Sequence, residues 1–361
     1  MLFLGSGASK AVGIGDLEDL TNLIIEQTDG NLKEKIESIQ DLVDSNRERY
    51  NFQFNLEILY SIFEGIANKR SFLNELGPYP ILMDTLLLDN RTYNELVVTN
   101  IELASFKEIT HNTIVNTITQ YEKNNERRNL ARKLYDELFR IPLNYSDRFQ
   151  NARGGQVFNA FNVVATLNYD QVLELYDNDT SGESPTKPNF LTERGFDNKG
   201  HPRLYKLKLR EILLGEKEIQ YIKLHGSTDW WIDDNNNIVQ SFHQDNPLAK
   251  FKERQIIYPI YEKYISKDPF FTLYQYFRRR LLKEDIVIVI GYSFADISIN
   301  NAFIDWLSYN NSARLIIVAR KNRHNIIRNS LLIHSNRIEF LNDYFGETNF
   351  ILNLTNLLIR E

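Results

Sequence analysis

The chain has no cysteine anywhere in its 361 residues. Disulfides, thiolate-bound zinc and a cysteine nucleophile are excluded together, and the absence suits a reducing compartment. No run of eighteen apolar residues occurs, so no membrane-spanning helix is expected. Residues 1–4 are apolar but run straight into glycines, without the basic start and long apolar core of a signal peptide. A cytoplasmic location with no membrane partner is the expectation. Basic residues are not in excess either: 42 Lys and Arg against 48 Asp and Glu give a net charge of -6. Direct nucleic-acid binding is not expected, because phosphate neutralisation calls for a basic face. The notable basic triplet, Arg278-Arg279-Arg280, lies in a helical stretch, where such a run is ordinarily a solvated face.

What is present is a globular composition, 42% hydrophobic and 25% charged, at a length that suits one large domain or two ordinary ones. Residues 1–4, 161–166, 220–224, 286–290, 314–319 and 337–341 read as short buried strands. Helical patterns over 16–27, 296–309, 322–334 and the tail from 343 alternate with them. Continuous apolar strands between helices predict a mostly parallel sheet covered on both faces, a Rossmann-like α/β fold. From 31 to 150 the pattern is helical instead: Leu56, Leu59, Tyr60, Phe63 and Ile66, then Ile109, Ile114, Ile118 and Tyr121, recur at helix spacing. The expected organisation is an α/β domain made of 1–30 and 151–361, interrupted by an all-helical insertion at 31–150. Residues 177–200, rich in Asp, Asn, Ser, Gly and Pro, read as a long loop.

Four strand ends carry residues suited to chemistry. Gly5-Ser6-Gly7-Ala8-Ser9 lets the backbone turn sharply and approach a pyrophosphate at a helix start, or else serves as a plain strand–helix turn. Lys10 stands where a dinucleotide fingerprint has its third glycine. Asn168-Tyr169-Asp170 offers an amide able to hold a ribose hydroxyl or a water; Asn168 and Asp170 would equally cap the following helix. Lys223-Leu224-His225-Gly226 sets an imidazole, a base near neutrality, beside a glycine that permits close approach. Trp230 and Trp231 after it read as packing. Gly291-Tyr292-Ser293-Phe294-Ala295-Asp296 brings Gly291 and Ser293 within reach of a phosphate or ribose, while Asp296 begins a helix.

Taken in this order, the four segments resemble the sirtuin-like superfamily, and more closely its prokaryotic branch without the zinc module. Gly5 to Ser9 is similar to the Gly-Ala-Gly-x-Ser loop, Asn168 to Asp170 to the Asn-x-Asp element, and His225-Gly226 to the His-Gly pair. Gly291 to Ser293 is similar to the late glycine–serine strand end. The likeness covers 1–28 and about 157–341. It departs at Gly13-Ile14-Gly15, where sirtuins continue Gly-Ile-Pro, and in lacking the four cysteines whose zinc module frames a peptide cleft.

The resemblance implies NAD as substrate, no metal, and cleavage of the nicotinamide–ribose bond. Asn168 and His225 would be catalytic; Gly5, Ser6, Gly7, Ala8, Ser9, Asp170, Gly226, Gly291 and Ser293 would bind NAD. It further implies an NAD-depleting effector of bacterial antiphage defence, working as a homo-oligomer or with a partner such as a HerA-like ATPase. An NAD-dependent deacylase, an ADP-ribosyltransferase and a non-catalytic NAD- or ADP-ribose-binding subunit of an ATPase complex remain as alternatives.

Overall fold

The computed structural model describes residues 1–45, 54–67, 98–139, 141, 161, 163–180, 196–197, 205–207, 220–240, 253–257, 268–331 and 336–359. They form two compact units, one from 1–14, 120–257 and 265–361, the other chiefly from 15–119. The strands, all in the first unit, are β1 (Leu2–Leu4), β2 (Val163–Thr166), β3 (Phe196–Asp197), β4 (Tyr205–Leu207), β5 (Gln220–Lys223) and β6 (Gly226–Ile232). They continue with β7 (Ile238–Gln240), β8 (Glu253–Ile256), β9 (Ile286–Ile290), β10 (Arg314–Val318) and β11 (Ile338–Leu341).

Six strands make a sheet in the order β11-β10-β9-β1-β2-β5, every pair parallel. Alternation along each strand divides the core in two. Leu2, Leu4, Val164, Ile288, Ile290 and Ile316 face the helices Asn125–Phe139, Val172–Thr180 and Phe350–Ile359. Phe3, Val163, Ala165, Val287, Val289 and Ile317 face Phe270–Leu281, Ile297–Tyr309 and His324–Ser330. Phe3 anchors the second face, its ring 5.6 Å from Phe277, 5.3 Å from Tyr292 and 5.2 Å from Phe303. The chain is thus a Rossmann-like α/β fold with a helical region besides.

A second sheet was not anticipated. Five strands in the order β3-β4-β7-β6-β8 pair antiparallel. Trp230 and Trp231, read as packing, lie in β6: Trp230 joins the core, and the Arg254 guanidinium sits 4.1 Å above the Trp231 ring. The polar opening of β6, Gly226-Ser227-Thr228-Asp229, gives no apolar alternation from which to read a strand. The helix expected over 322–334 begins as a 3-10 turn, Lys321–Arg323, and runs as an α-helix over His324–Ser330; 332–335 lie outside the described residues. In the stretch read as a loop, Val172–Thr180 is helix and Phe196–Asp197 is strand, the other positions lying outside the described residues.

The described residues of the second unit are helical, with Leu17–Gln27, Gly30–Ser45 and Leu56–Ala67 packing beside Leu103 and Phe106 of the helix Asn100–Glu122. Leu56, Leu59, Tyr60, Phe63 and Ile66 are all buried, and Phe63 stacks on Phe106 at 4.6 Å. Asp16 opens the unit with a capping box, accepting from the Glu18 and Asp19 N–H groups while Asp19 accepts from its own. The compact units divide after Ile14 and Thr119, whereas the sequence pattern drew the insertion at 31–150. The reason lies in packing. Helix Asn125–Phe139 buries Leu134, Tyr135, Leu138 and Phe139 in the sheet core, and Leu17–Gln27 packs with Leu56–Ala67.

Phe303 is fully buried between Phe3, Phe277 and Phe294. Phe303→Ala is expected to destabilise the protein by about 3–5 kcal/mol, read from urea unfolding against wild type.

Candidate active site

Parallel register sets the site. Leu4 pairs with Thr166 and with Ile290, and Thr166 pairs with Lys223. The turns that follow β1, β2, β5 and β9 therefore leave the sheet at one level, along the carboxyl edge where open α/β sheets take their ligands.

The turns after β1 and β9 meet backbone to backbone. Gly5 N–H donates to the Ile290 carbonyl and Gly7 N–H to that of Gly291, each at 2.9 Å. A Cβ on Gly5 would lie 2.5 Å from the Gly291 oxygen, one on Gly7 2.7 Å from the Gly291 Cα, and one on Gly291 2.2 Å from the Ala8 nitrogen. Gly291 also has φ +70, in the left-handed region. These glycines serve loop-to-loop packing. The Gly5, Gly7 and Ala8 amides, expected to face a pyrophosphate, are engaged by carbonyls of Ile290, Gly291 and Gly5. Ser6 is exposed at the start of the short helix Ser6–Lys10; Ala8 and Ser9 are buried.

The turn after β2 locks onto the first. Asn168 donates through Nδ2 to the Gly5 carbonyl at 3.0 Å and to the Ser9 hydroxyl at 2.8 Å. Ser9 in turn donates to Asp170 Oδ2 at 2.5 Å. Both amide protons of the half-buried Asn168 are thus held, and among the described residues its Oδ1 takes no hydrogen bond. Asp170 does cap the helix Val172–Thr180, accepting from Val172 N–H at 3.1 Å, and Asn168 does not. Sequence left these two roles undivided; the fold separates them.

Beneath this turn lies a buried charge network centred on Lys223. Its ammonium donates to the Asp170 carbonyl, to Ser227 Oγ at 2.7 Å and to Glu174 Oε1 at 2.9 Å, which occupies all three protons. Burial raises the Asp170 carboxyl above the usual range, while Lys223, Ser9 and the Val172 amide pull it back. Asp229, bonded by Gln240 at 2.6 Å, is likewise raised by burial. Glu122, joined to Gln171 at 2.9 Å, is pushed up to about 7 by burial and then by the nearby Asp229 charge.

His225 stands on the turn after β5, 2% exposed. Gly226 beside it has φ +79, and a Cβ there would meet the Gln255 carbonyl oxygen at 2.1 Å, so glycine is required for β6 to pack on β8. The imidazole Nε2 lies 3.3 Å from Asp296 Oδ2, and its ring centre 6.4 Å from that of Tyr169. Asp296 Oδ1 accepts from Ser298 and Ile299 N–H, capping the helix Ile297–Tyr309. Ser293 in the same turn is exposed.

All four expected segments therefore adjoin. Contacts link the β1 turn to that of β2, the β2 turn to the start of β6 just beyond His225 through Tyr169 carbonyl and Thr228 N–H, and the β9 turn to those of β1 and β5. Sequence alone marked Lys223 only as part of the Lys-Leu-His-Gly run, and Glu174 not at all. A lysine inside the apolar run Tyr221-Ile222-Lys223-Leu224 was the available signal, since a charge there must find a buried partner. Asp296 was read only as the start of a helix.

Residues 162–341 match the SIR2-like domain family, so the chain carries a sirtuin-like domain, of a kind that uses NAD. The matched span takes in Asn168, His225, Gly291 and Asp296; the Gly5–Ser9 turn precedes it. No curated protein matches the chain.

Gly291→Ala combines a steric clash with a left-handed backbone. It is expected to lower stability by at least about 1–3 kcal/mol, read from thermal melting. For Glu122 the sign follows from linkage. An acid with a higher pKa folded than unfolded binds protons preferentially when folded. Its destabilising effect is therefore present above about 7 and fades as pH falls toward 4.5. Glu122→Gln should melt higher than wild type at pH 8, with the gap closing by pH 4.5.

Proposed function

We propose that this SIR2-like domain cleaves NAD at the nicotinamide–ribose bond, giving nicotinamide and ADP-ribose. One observation carries the reading. Asn168 and His225 each follow by two residues the paired positions Thr166 and Lys223, so an amide and an imidazole leave neighbouring strands at the same level. The family's use of NAD supplies the ligand class.

Nicotinamide is bound to ribose as a pyridinium, and its C1′–N bond breaks with the electron pair passing to the ring nitrogen. The ribose then carries positive charge in an oxocarbenium-like state, as in glycosyl transfer generally. A water adds its oxygen to C1′ and gives its proton to His225, so NAD and water yield nicotinamide, ADP-ribose and one proton. Asn168, with both amide protons tied to Gly5 and Ser9, presents Oδ1 to a ribose hydroxyl or to the water. Holding these groups rigid lowers the barrier, because orientation is settled before reaction. Asp170 fixes Ser9 and through it Asn168. In this proposal the β1 and β9 turns hold the phosphates and adenosine through Ser6 and Ser293, both exposed.

The absence of cysteine removes the zinc module that would frame a peptide cleft. Water is therefore the favoured acceptor over an acyl-lysine or a protein nucleophile. In the same proposal, the domain acts as an NAD-depleting effector in bacterial antiphage defence, held in check by self-assembly or by a HerA-like ATPase, with the helical unit as the gating element. An uncontrolled NAD hydrolase poisons its own cell, and that consequence requires an off-state.

The test is nicotinamide release from NAD by wild type, Asn168→Ala and His225→Ala, alone and in cell extract. Loss of a general base is expected to lower turnover by roughly 10²- to 10⁴-fold, with free ADP-ribose as the wild-type product. Folded variants retaining wild-type rates would overturn the assigned roles, and turnover only with a protein acceptor would point to transfer or deacylation.

A further inference from the structure

β5 and β9 are not neighbours: β1 and β2 lie between them, a span of about 14 Å at ordinary strand spacing. Their turns nevertheless meet, because Asp296 reaches His225 with 3.3 Å between Oδ2 and Nε2. Both side chains are buried, at 2% and 4% exposure. Capping does not account for this. Oδ1 alone accepts from Ser298 at 3.0 Å and Ile299 at 3.3 Å, while the second oxygen lies 3.3 Å from the imidazole Nε2, close enough for an ion pair but not aligned as a hydrogen bond. Several other contacts fix the backbone that carries this carboxylate. The Tyr292 hydroxyl lies 3.0 Å from the Asp296 carbonyl and from Asn300 Oδ1 and accepts from the Asp296 N–H at 3.2 Å. Asn300 Nδ2 donates to the Phe294 carbonyl, and Phe294 is held at φ +61, a conformation rare for an aromatic residue. The geometry of this turn is over-determined well beyond what a helix cap needs.

We propose that Asp296 is the positioning residue for His225: a small turn of the ring brings Nε2–H into line with Oδ2, which then holds that proton and leaves Nδ1 as the basic nitrogen. A neutral imidazole carries one N–H and one lone pair, so a carboxylate on one nitrogen decides which tautomer the other presents. The same carboxylate stabilises the imidazolium formed when Nδ1 takes a proton. Among the described residues, Asp296 from the β9 turn and the Tyr169 phenol from the β2 turn are titratable side chains that face the ring across this gap. The assignment of Nδ1 as base rests on the NAD-cleavage reading; the coupling of the two side chains does not.

Asp296→Asn separates the two jobs, because Asn caps helices as well as Asp but bears no charge. In the full chain labelled with ¹⁵N-histidine, the His225 imidazole signals, identified by their loss in His225→Gln, report tautomer and titration directly. Wild type is expected to show the Nε2–H tautomer, and Asp296→Asn to lower the His225 titration midpoint. Melting temperature should stay close to wild type, and kcat for nicotinamide release should fall on the order of 10²- to 10⁴-fold with little change in KM. Should the Asn variant not fold, Asp296→Ser, which also caps without charge, takes its place. Unchanged imidazole signals in a folded variant overturn the coupling. If wild type releases no nicotinamide, the NAD-cleavage reading fails while the imidazole titration still decides the pairing.

Discussion

Backbone contact between the Gly5–Gly7 turn and Gly291 is the constraint on which the rest of the first unit depends. β1 is only three residues long and lies between β9 and β2 at the centre of the six-stranded sheet. Its turn must pass the β9 turn at a distance no side chain permits, with Gly291 required to be left-handed as well. Once that approach is made, the Gly5 carbonyl is presented to Asn168, and Ser9 is presented to both Asn168 and Asp170. The amide assigned to chemistry is therefore oriented by a loop 163 residues earlier in the chain, and only through glycine packing.

The Lys223 network carries a different energetic character. One ammonium, surrounded by Glu174, Asp229, Glu122 and the Asp170 carbonyl, lies in the interior where desolvation of each ion costs several kcal/mol. Its three hydrogen bonds offset that cost and tie the helix Val172–Thr180 to the start of β6. This arrangement gives fixed geometry more than stability. The turn carrying Asn168 and the segment carrying His225 are held to each other by Lys223 to the Asp170 carbonyl and by Thr228 N–H to the Tyr169 carbonyl, so a shift in one moves the other. Rigid support of this kind is what a bond-cleaving site needs, since orientation must be set before the substrate arrives.

Legibility differed with the kind of interaction. The strands at 286–290 and 314–318 were plain from runs such as Ile-Val-Ile-Val-Ile, because burial on both faces leaves no polar position past their first residue. β6 was not, since its opening residues Ser227, Thr228 and Asp229 are polar and held by partners outside the strand, as Asp229 is by Gln240 of β7. The helical stretch was legible from Leu56 to Ile66. Where it belongs was not, because Asn125–Phe139 is amphipathic in sequence whichever core it joins.

By itself, the amino-acid sequence determined the periodicities, and with them the α/β class, the helical stretch and the four strand ends where small and polar residues gather. It also determined which residue types were on hand there: Asn168, His225 and the glycines. Tertiary structure alone decided their roles, because each role depends on a partner far away in the chain. Asp170 and Asn168 are alike as caps until Gly5 and Ser9 take both amide protons of Asn168; Gly5 and Gly7 suit an anion until Gly291 takes the space. Asp296 is an ordinary helix start until a turn from three strands away sets an imidazole against its second oxygen. Local pattern is written in spacing along the chain, whereas pairing is written in register across the sheet.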